Sequence, residues 1–400
     1  MATHSDAFEA ARRKEAQTGA VGPGHPAMLL SAAVLALVLL GLVMILSASS
    51  VSSFAKYGSS FLFFKRQLVW AAVGVAGFLV CARTDYRVWR RLAYPGFLAA
   101  LLLLLLVEVP GFGVVAGGSA RWLQLGPLSF QPSELAKLAL VLFAAEALSR
   151  KEERHLEDFM HTVIPVVPAF GCMGLLVMAQ PDMGTTLVLA SITMGMLFVA
   201  GAPMRYLLPM AGGGVALATF LALSEPYRRE RMLAFMNPWA DPLNTGYQTI
   251  QSLYALGSGG LLGVGLGASR QKWSYIPNSH TDFIFSILGE ELGLLGTLLV
   301  LALFALIAYL GIRTAGKAPD RFGMLVAAGT TVWISLQALI NVGAVSASLP
   351  VTGVPLPLVS FGGTSLVITL VALGIAVNIA LRGHERTGRT KQGRSATGES

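Results

Sequence analysis

Carboxylates carry most of the chemistry this sequence can offer, and three of them crowd one stretch, NSHTDFIFSILGEELG, residues 278–293. Asp282 stands where a polar approach containing Pro277 and His280 gives way to an apolar helix. A carboxylate at such a mouth is partly desolvated, an environment that suits a general base. On an ideal helix Glu290 lies about 12 Å deeper and about 80° round from Asp282, and Glu291 about 180° round. Neither glutamate shares its site. They read as packing or hydrogen-bonding partners inside a bundle.

Other polar groups sit at similar apolar thresholds. In QPSELAKLAL, Pro132 suits a first helical turn, and Glu134 and Lys137, three apart, share a face. The pair is either an interfacial ion pair or part of a cavity, and inside a membrane the second is favoured, because ionisable groups there usually mark a path. Asp182 in AQPDMGTT can cap the helix it starts, line a cavity, or do both. Loop 224–281 carries Arg228, Arg229, Arg231, Arg270 and Lys272. This basic field fits an anionic ligand such as phosphate or pyrophosphate, with contact to lipid headgroups as the competing reading. The glycines of GSGGLLGVGLGAS lack the strand and GK[ST] of a nucleotide loop, and point instead to a kinked or re-entrant backbone. The Pro- and Gly-rich SLPVTGVPLPLVSFGGTS sets Thr352 and Ser360 on an irregular backbone, which either lines the same cavity or forms a rigid turn.

The elements that must position these residues are membrane helices. The chain is 54% hydrophobic and 12% charged, where a soluble domain would be about a quarter charged. Spans need about 20 apolar residues, and ten segments approach this: 28–48, 66–82, 93–108, 133–149, 162–179, 183–201, 205–223, 282–312, 322–345 and 360–381. Most of the 29 Lys and Arg lie in the N-terminal tail, short alternate loops and the C-terminal tail, which places both termini in the cytoplasm. The net charge of +8 therefore reports topology and not nucleic-acid binding. The expectation is an all-α polytopic membrane protein: tail 1–27, a ten-helix domain 28–382 with a large extracellular loop 224–281 between helices seven and eight, and a basic tail 383–400. Cys81 and Cys172 lie in apolar context, so no disulfide or metal site is expected. No carboxylate cluster has metal-ligand spacing; no cofactor is evident, and a divalent cation is left open.

Six ordered motifs carry a resemblance: GGSARWLQLGPLSFQPSELAK, QPDMGTT, NPWADPLNTGYQTIQSL, GVGLGASRQK, HTDFIFSILGEELG and LPVTGVPLPLVSFGG. Over residues 30–382 the chain resembles the SEDS family (shape, elongation, division and sporulation), which includes FtsW and RodA, with the FtsW type favoured. The resemblance implies a peptidoglycan glycosyltransferase that joins lipid II units into glycan strands at the outer face of the bacterial cytoplasmic membrane. Asp282 matches the family's catalytic aspartate. It would take the proton from the GlcNAc C4 hydroxyl, which attacks the MurNAc anomeric carbon and displaces undecaprenyl pyrophosphate with inversion. Substrate-binding residues are expected at Arg121, Trp122, Glu134, Lys137, Asp182, Arg231, Gln248, Gln251, Ser252, Lys272, His280, Thr352 and Ser360, with Arg231 and Lys137 facing the departing pyrophosphate. Implied partners are a class B penicillin-binding protein transpeptidase and other division-complex membrane proteins. The alternatives are a lipid II flippase, which needs polar groups through both membrane halves, and a scaffold that recruits a transpeptidase.

Overall fold

The computed structural model describes residues 26–116, 119–126, 128–150, 159–224, 226–273, 275–277 and 279–396; several side chains, including those of Arg228, Arg231 and residues 385–396, lie outside that description. All ten expected apolar segments are helices: α1 Pro26–Tyr57, α2 Leu62–Arg83, α3 Arg87–Glu108, α4 Pro132–Ser149, α5 Val167–Ala179, α6 Met183–Ala200, α7 Met204–Ser224, and, beyond a long connection, α10 Ile284–Gly316, α11 Arg321–Val345 and α12 Gly363–Ala396. Eight of them are long and apolar enough to cross a bilayer. The other two are α4, with Glu134, Lys137 and Glu146 along it, and α5, with only 13 residues. The N-terminal tail to residue 25 lies outside the described residues. At the other end α12 does not stop at 382, since its helix runs on through the basic tail to Ala396.

Two expected loops contain structure of their own. Residues 113–130 form an antiparallel meander, β1 Gly113–Ala116, β2 Ser119–Leu125 and β3 Leu128–Phe130, with Leu123 opposite both Gly113 and Phe130. Loop 224–281 contains α8 Pro226–Met236, a 3₁₀ turn Pro238–Ala240 and α9 Tyr247–Ser258.

Burial decides the arrangement. α11 contacts α4, α6, α10 and α12, and 72% of its apolar stretch is buried against 6% for α7. α11 is a central post; α7 is an outlying wall. One apolar core gathers α3 to α6 around α11, and a second gathers α1, α2 and α10, with α11 and α12 contributing to both. Far from the 113–130 meander, polar knots tie the helices: Arg90 and Arg150 both donate to the buried Glu146, and Tyr86 donates to Asp320 at 2.9 Å.

The segment beginning at Asp282 is not one helix. Gly293 has φ 67 and ψ −164, which divides α10 into two helical runs. A break inside a bundle strands backbone groups that must find partners. The glycine loop supplies them. Val264 and Gly265 donate to the carbonyls of Glu290 and Glu291, while Leu294 and Leu295 donate to Gly260 and Leu261. The fit demands glycine on both sides, since a Cβ on Gly293 would strike the Gly263 nitrogen, and one on Gly263 (φ +82) would strike the Glu291 carbonyl. Residues 259–265 are thus a backbone plug in a broken helix.

Candidate functional site at the mouth of the cavity

A cavity of about 1920 Å³ opens between α5, α6, α7, α10 and α11. Its charged lining, among the described residues, is Arg121, Asp182 and Asp282. All three lie at the end that holds the meander and the loop 346–362. Deeper in, the described lining carries no charged side chain and is mostly apolar, with Val167, Met194, Val199, Met210, Ile312 and Met324 beside the hydroxyls of Thr193 and Thr331. The cavity has a charged mouth and a greasy shaft.

Asp282 is half-buried and precedes the α10 N-cap, Phe283. The helix begins only at Ile284, so angles counted from Asp282 on an ideal helix do not apply, although the separation from the glutamates holds. Both glutamate side chains face the segment that follows the plug, residues 269–272. Glu290 accepts from Ser269 Oγ and from the Arg270 N–H at 2.9 Å; Glu291 accepts from Ser47 Oγ at 2.6 Å and meets Lys272 Nζ at 3.4 Å. Lys272 is buried and also donates to Ser47 and the Gly267 carbonyl. Its charge points inward, not into an exposed basic field. Arg270 stays exposed.

Asp182 does both things expected of it. Its carboxylate caps α6, accepting from the Thr185 N–H at 2.9 Å and Oγ1 at 2.8 Å, and it lines the cavity. Arg121, projecting from β2, donates to the carbonyls of Gln180 (2.8 Å) and Pro181 (2.7 Å), fixing the turn that presents Asp182. Thr352 lines the mouth, and its Oγ1 is buried without a protein partner; the same holds for Ser119 Oγ and Ser335 Oγ. Buried hydroxyls left unpaired at a cavity wall are ready for a polar ligand. Ser335 was not legible beforehand because a lone serine in an apolar run carries no spacing signal, and in GGSARW the neighbouring Arg121 and Trp122 drew the reading away from Ser119.

The other expected site residues lie behind the lining. Lys137 Nζ sits 2.7 Å from Glu134, off hydrogen-bond alignment, and donates to Gln337 Oε1 at 3.1 Å; both members of the pair are buried. Ser252 bonds Ser286 and the Val345 carbonyl, pinning α9 to α10 and α11. Ser360 accepts from the Leu356 N–H and donates to the Thr281 carbonyl at 2.7 Å. Trp122 lies on β2 opposite Val114, and Gln248 and Gln251 are half-buried on α9. His280 lies tilted against Phe63 (4.8 Å) and meets Phe361 edge to face (5.6 Å), and burial pulls its pKa down to about 4. The Arg231 side chain lies outside the described residues. Among the described residues no three His, Cys, Asp or Glu side chains converge to hold a metal ion.

The apolar helices, one of them broken, and the cavity they enclose define a multi-pass membrane protein. The chain belongs to the FtsW/RodA/SpoVE family of cell cycle proteins, whose model matches residues 27–385, and with its several apolar spans it is a multi-pass protein of the bacterial inner membrane. It is 43% identical over 347 residues to a probable peptidoglycan glycosyltransferase FtsW of Geobacter metallireducens, covering 87% of this chain and 92% of that one. It is also 43% identical over 355 residues to stage V sporulation protein E of Bacillus subtilis, covering 89% and 97%. Among solved structures it resembles a chain of a peptidoglycan synthase complex that coordinates polymerization and crosslinking, with TM-score 0.71, 33% identity, and coverage of 88% and 97%.

Proposed function

We propose that this protein is a septal peptidoglycan glycosyltransferase that polymerises lipid II, with Asp282 as general base. The observation that carries the proposal is the division of the cavity: charged and hydrogen-bonding groups at the mouth, apolar walls along the shaft. A polyprenyl chain fits the shaft, while the pyrophosphate and sugars reach Asp282, Arg121 and the unpaired hydroxyls. The carboxylate removes the proton from the acceptor C4 hydroxyl as that oxygen attacks the anomeric carbon. The C–O bond to pyrophosphate breaks, and the lipid pyrophosphate leaves with inversion. A positioned base contributes roughly 10²–10⁴ in rate. Lys137, enclosed by Glu134 and Gln337, acts on this site by holding its frame and not by touching the leaving group.

In this proposal both termini lie in the cytoplasm and the mouth faces outward, in line with the basic short loops. A transporter moving the same lipid would have to carry its pyrophosphate charge along the shaft, where the described lining offers apolar side chains and a few hydroxyls but no charged group. The partner is a transpeptidase of the class B penicillin-binding type, supported by the likeness to a synthase complex. Purified protein reconstituted with fluorescent lipid II, with and without that partner, should yield glycan ladders on a gel. Translocation of lipid II across vesicles without ladders would overturn the proposal.

A further inference from the structure

Asp282 stands outside any regular ladder, because α10 starts at Ile284 and its N-cap Phe283 has no side-chain cap. A base must nevertheless be held to within fractions of an ångström of its target. Three consecutive carbonyls solve this. That of His280 accepts from the Phe361 N–H at 2.9 Å, that of Thr281 from Ser360 Oγ at 2.7 Å, and that of Asp282 from Asn341 Nδ2 at 2.7 Å. The first two donors belong to the irregular loop 346–362. The third comes from α11, the buried central post.

Resting on Asp282 as the base, we propose that Asn341 is a positioning residue that fixes the backbone from which that carboxylate projects. Its second N–H goes to the Val354 carbonyl at 2.8 Å, so one amide joins the Asp282 turn to the loop bearing Thr352 and Gly353. That loop faces the carboxylate directly, since a Cβ placed on Gly353 would lie 3.6 Å from Asp282 Oδ2. The amide has only one workable orientation, because a flip would set its oxygen against two carbonyls. Its Oδ1 is buried without a protein partner, which is unfavourable for a buried acceptor. Leucine would fill the same space without that cost, so the two directed donors are what asparagine supplies. One turn below, Gln337 repeats the device. It donates to the Pro355 carbonyl at 2.9 Å while accepting from Trp333 Nε1 (2.8 Å) and Lys137. The Glu134–Lys137 pair thereby reaches the mouth through Gln337.

The test compares Asn341→Leu, Asn341→Ser and Asp282→Asn in the full-length protein, measuring kcat and KM on lipid II per folded molecule alongside the melting midpoint. Asn341→Leu should lower kcat by roughly tenfold to a hundredfold, as small misplacements of a reacting group do. KM should stay within about twofold, the pattern of an interaction needed only in the transition state. Asn341→Ser, retaining one donor, should fall between, and it decides the matter alone if the leucine variant does not fold. A wild-type kcat per folded molecule in either variant, or a loss confined to KM, would overturn the proposal. Asp282→Asn separates the two levels: if it is inactive while the Asn341 variants keep full kcat, only the positioning role fails, and if it is active the base assignment itself fails.

Discussion

At Asp282 the protein places a carboxylate at a cavity mouth and occupies the backbone carbonyls around it, so that the peptide from which the side chain projects is held in place. The neighbouring His280 serves differently. Enclosed by Phe63 and Phe361, it is neutral when folded until the pH nears 4, against an ordinary value of 6.5. Between those values His280 binds more protons in the unfolded chain than in the folded one, so its contribution to stability falls as pH drops from about 6.5 to about 4 and is level above that window. Melting midpoints in detergent should show this decline, and His280→Phe should lessen it. An equal slope in the variant would show that the imidazole is not its source. Lys272 and Glu291 make a second residue-scale prediction. Removing one partner of a buried pair costs about 3–5 kcal/mol, whereas replacing both can be near neutral. Lys272→Met should therefore lower the midpoint more than the Lys272→Met, Glu291→Gln double variant does, a comparison that thermal unfolding resolves directly.

Among the elements, the broken helix and its glycine plug are the decisive pair. Gly293→Ala would put a Cβ into the plug at a φ that L-residues avoid. Gly316→Ala, where a Cβ meets nothing, provides the control. The first should lower the melting midpoint by several degrees, corresponding to the roughly 1–3 kcal/mol of a strained backbone position, and the second should not. Equal midpoints would mean the plug carries no stability. This pair also marks how far the residues spoke for themselves. Runs of about 20 apolar residues are read by composition, so every helix of the bundle was legible. The glycines announced a kinked or re-entrant backbone. The site of the break was not legible, because Gly293 in LGEELGLLG looks like any glycine of a membrane helix. The meander was missed for a related reason. Only SARWLQL comes near alternation over a useful length, and its partners are too short to carry a pattern of their own, four residues in β1 and three in β3. Asn341 and Gln337 were invisible, since a single amide in an apolar helix gains meaning only from the carbonyls it faces. Of the expected contacts, Asp282, Asp182, Arg121 and Thr352 line the cavity; Lys137, Lys272, Ser252 and Ser360 lie behind it as struts.

Taken whole, the molecule segregates charge along its cavity, mouth against shaft, on a frame whose central helix reaches both the Asp282 backbone and the buried Glu134–Lys137 pair. Such segregation favours a stationary lipid tail with chemistry at one surface. The most direct measurement of that claim is polymerisation of fluorescent lipid II by purified Asp282→Asn protein beside wild type, each verified as folded by its melting midpoint. The rate should fall by at least about a hundredfold, the lower range for loss of a general base. Glycan ladders formed at close to the wild-type rate would contradict the assignment of the base and the mechanism built upon it.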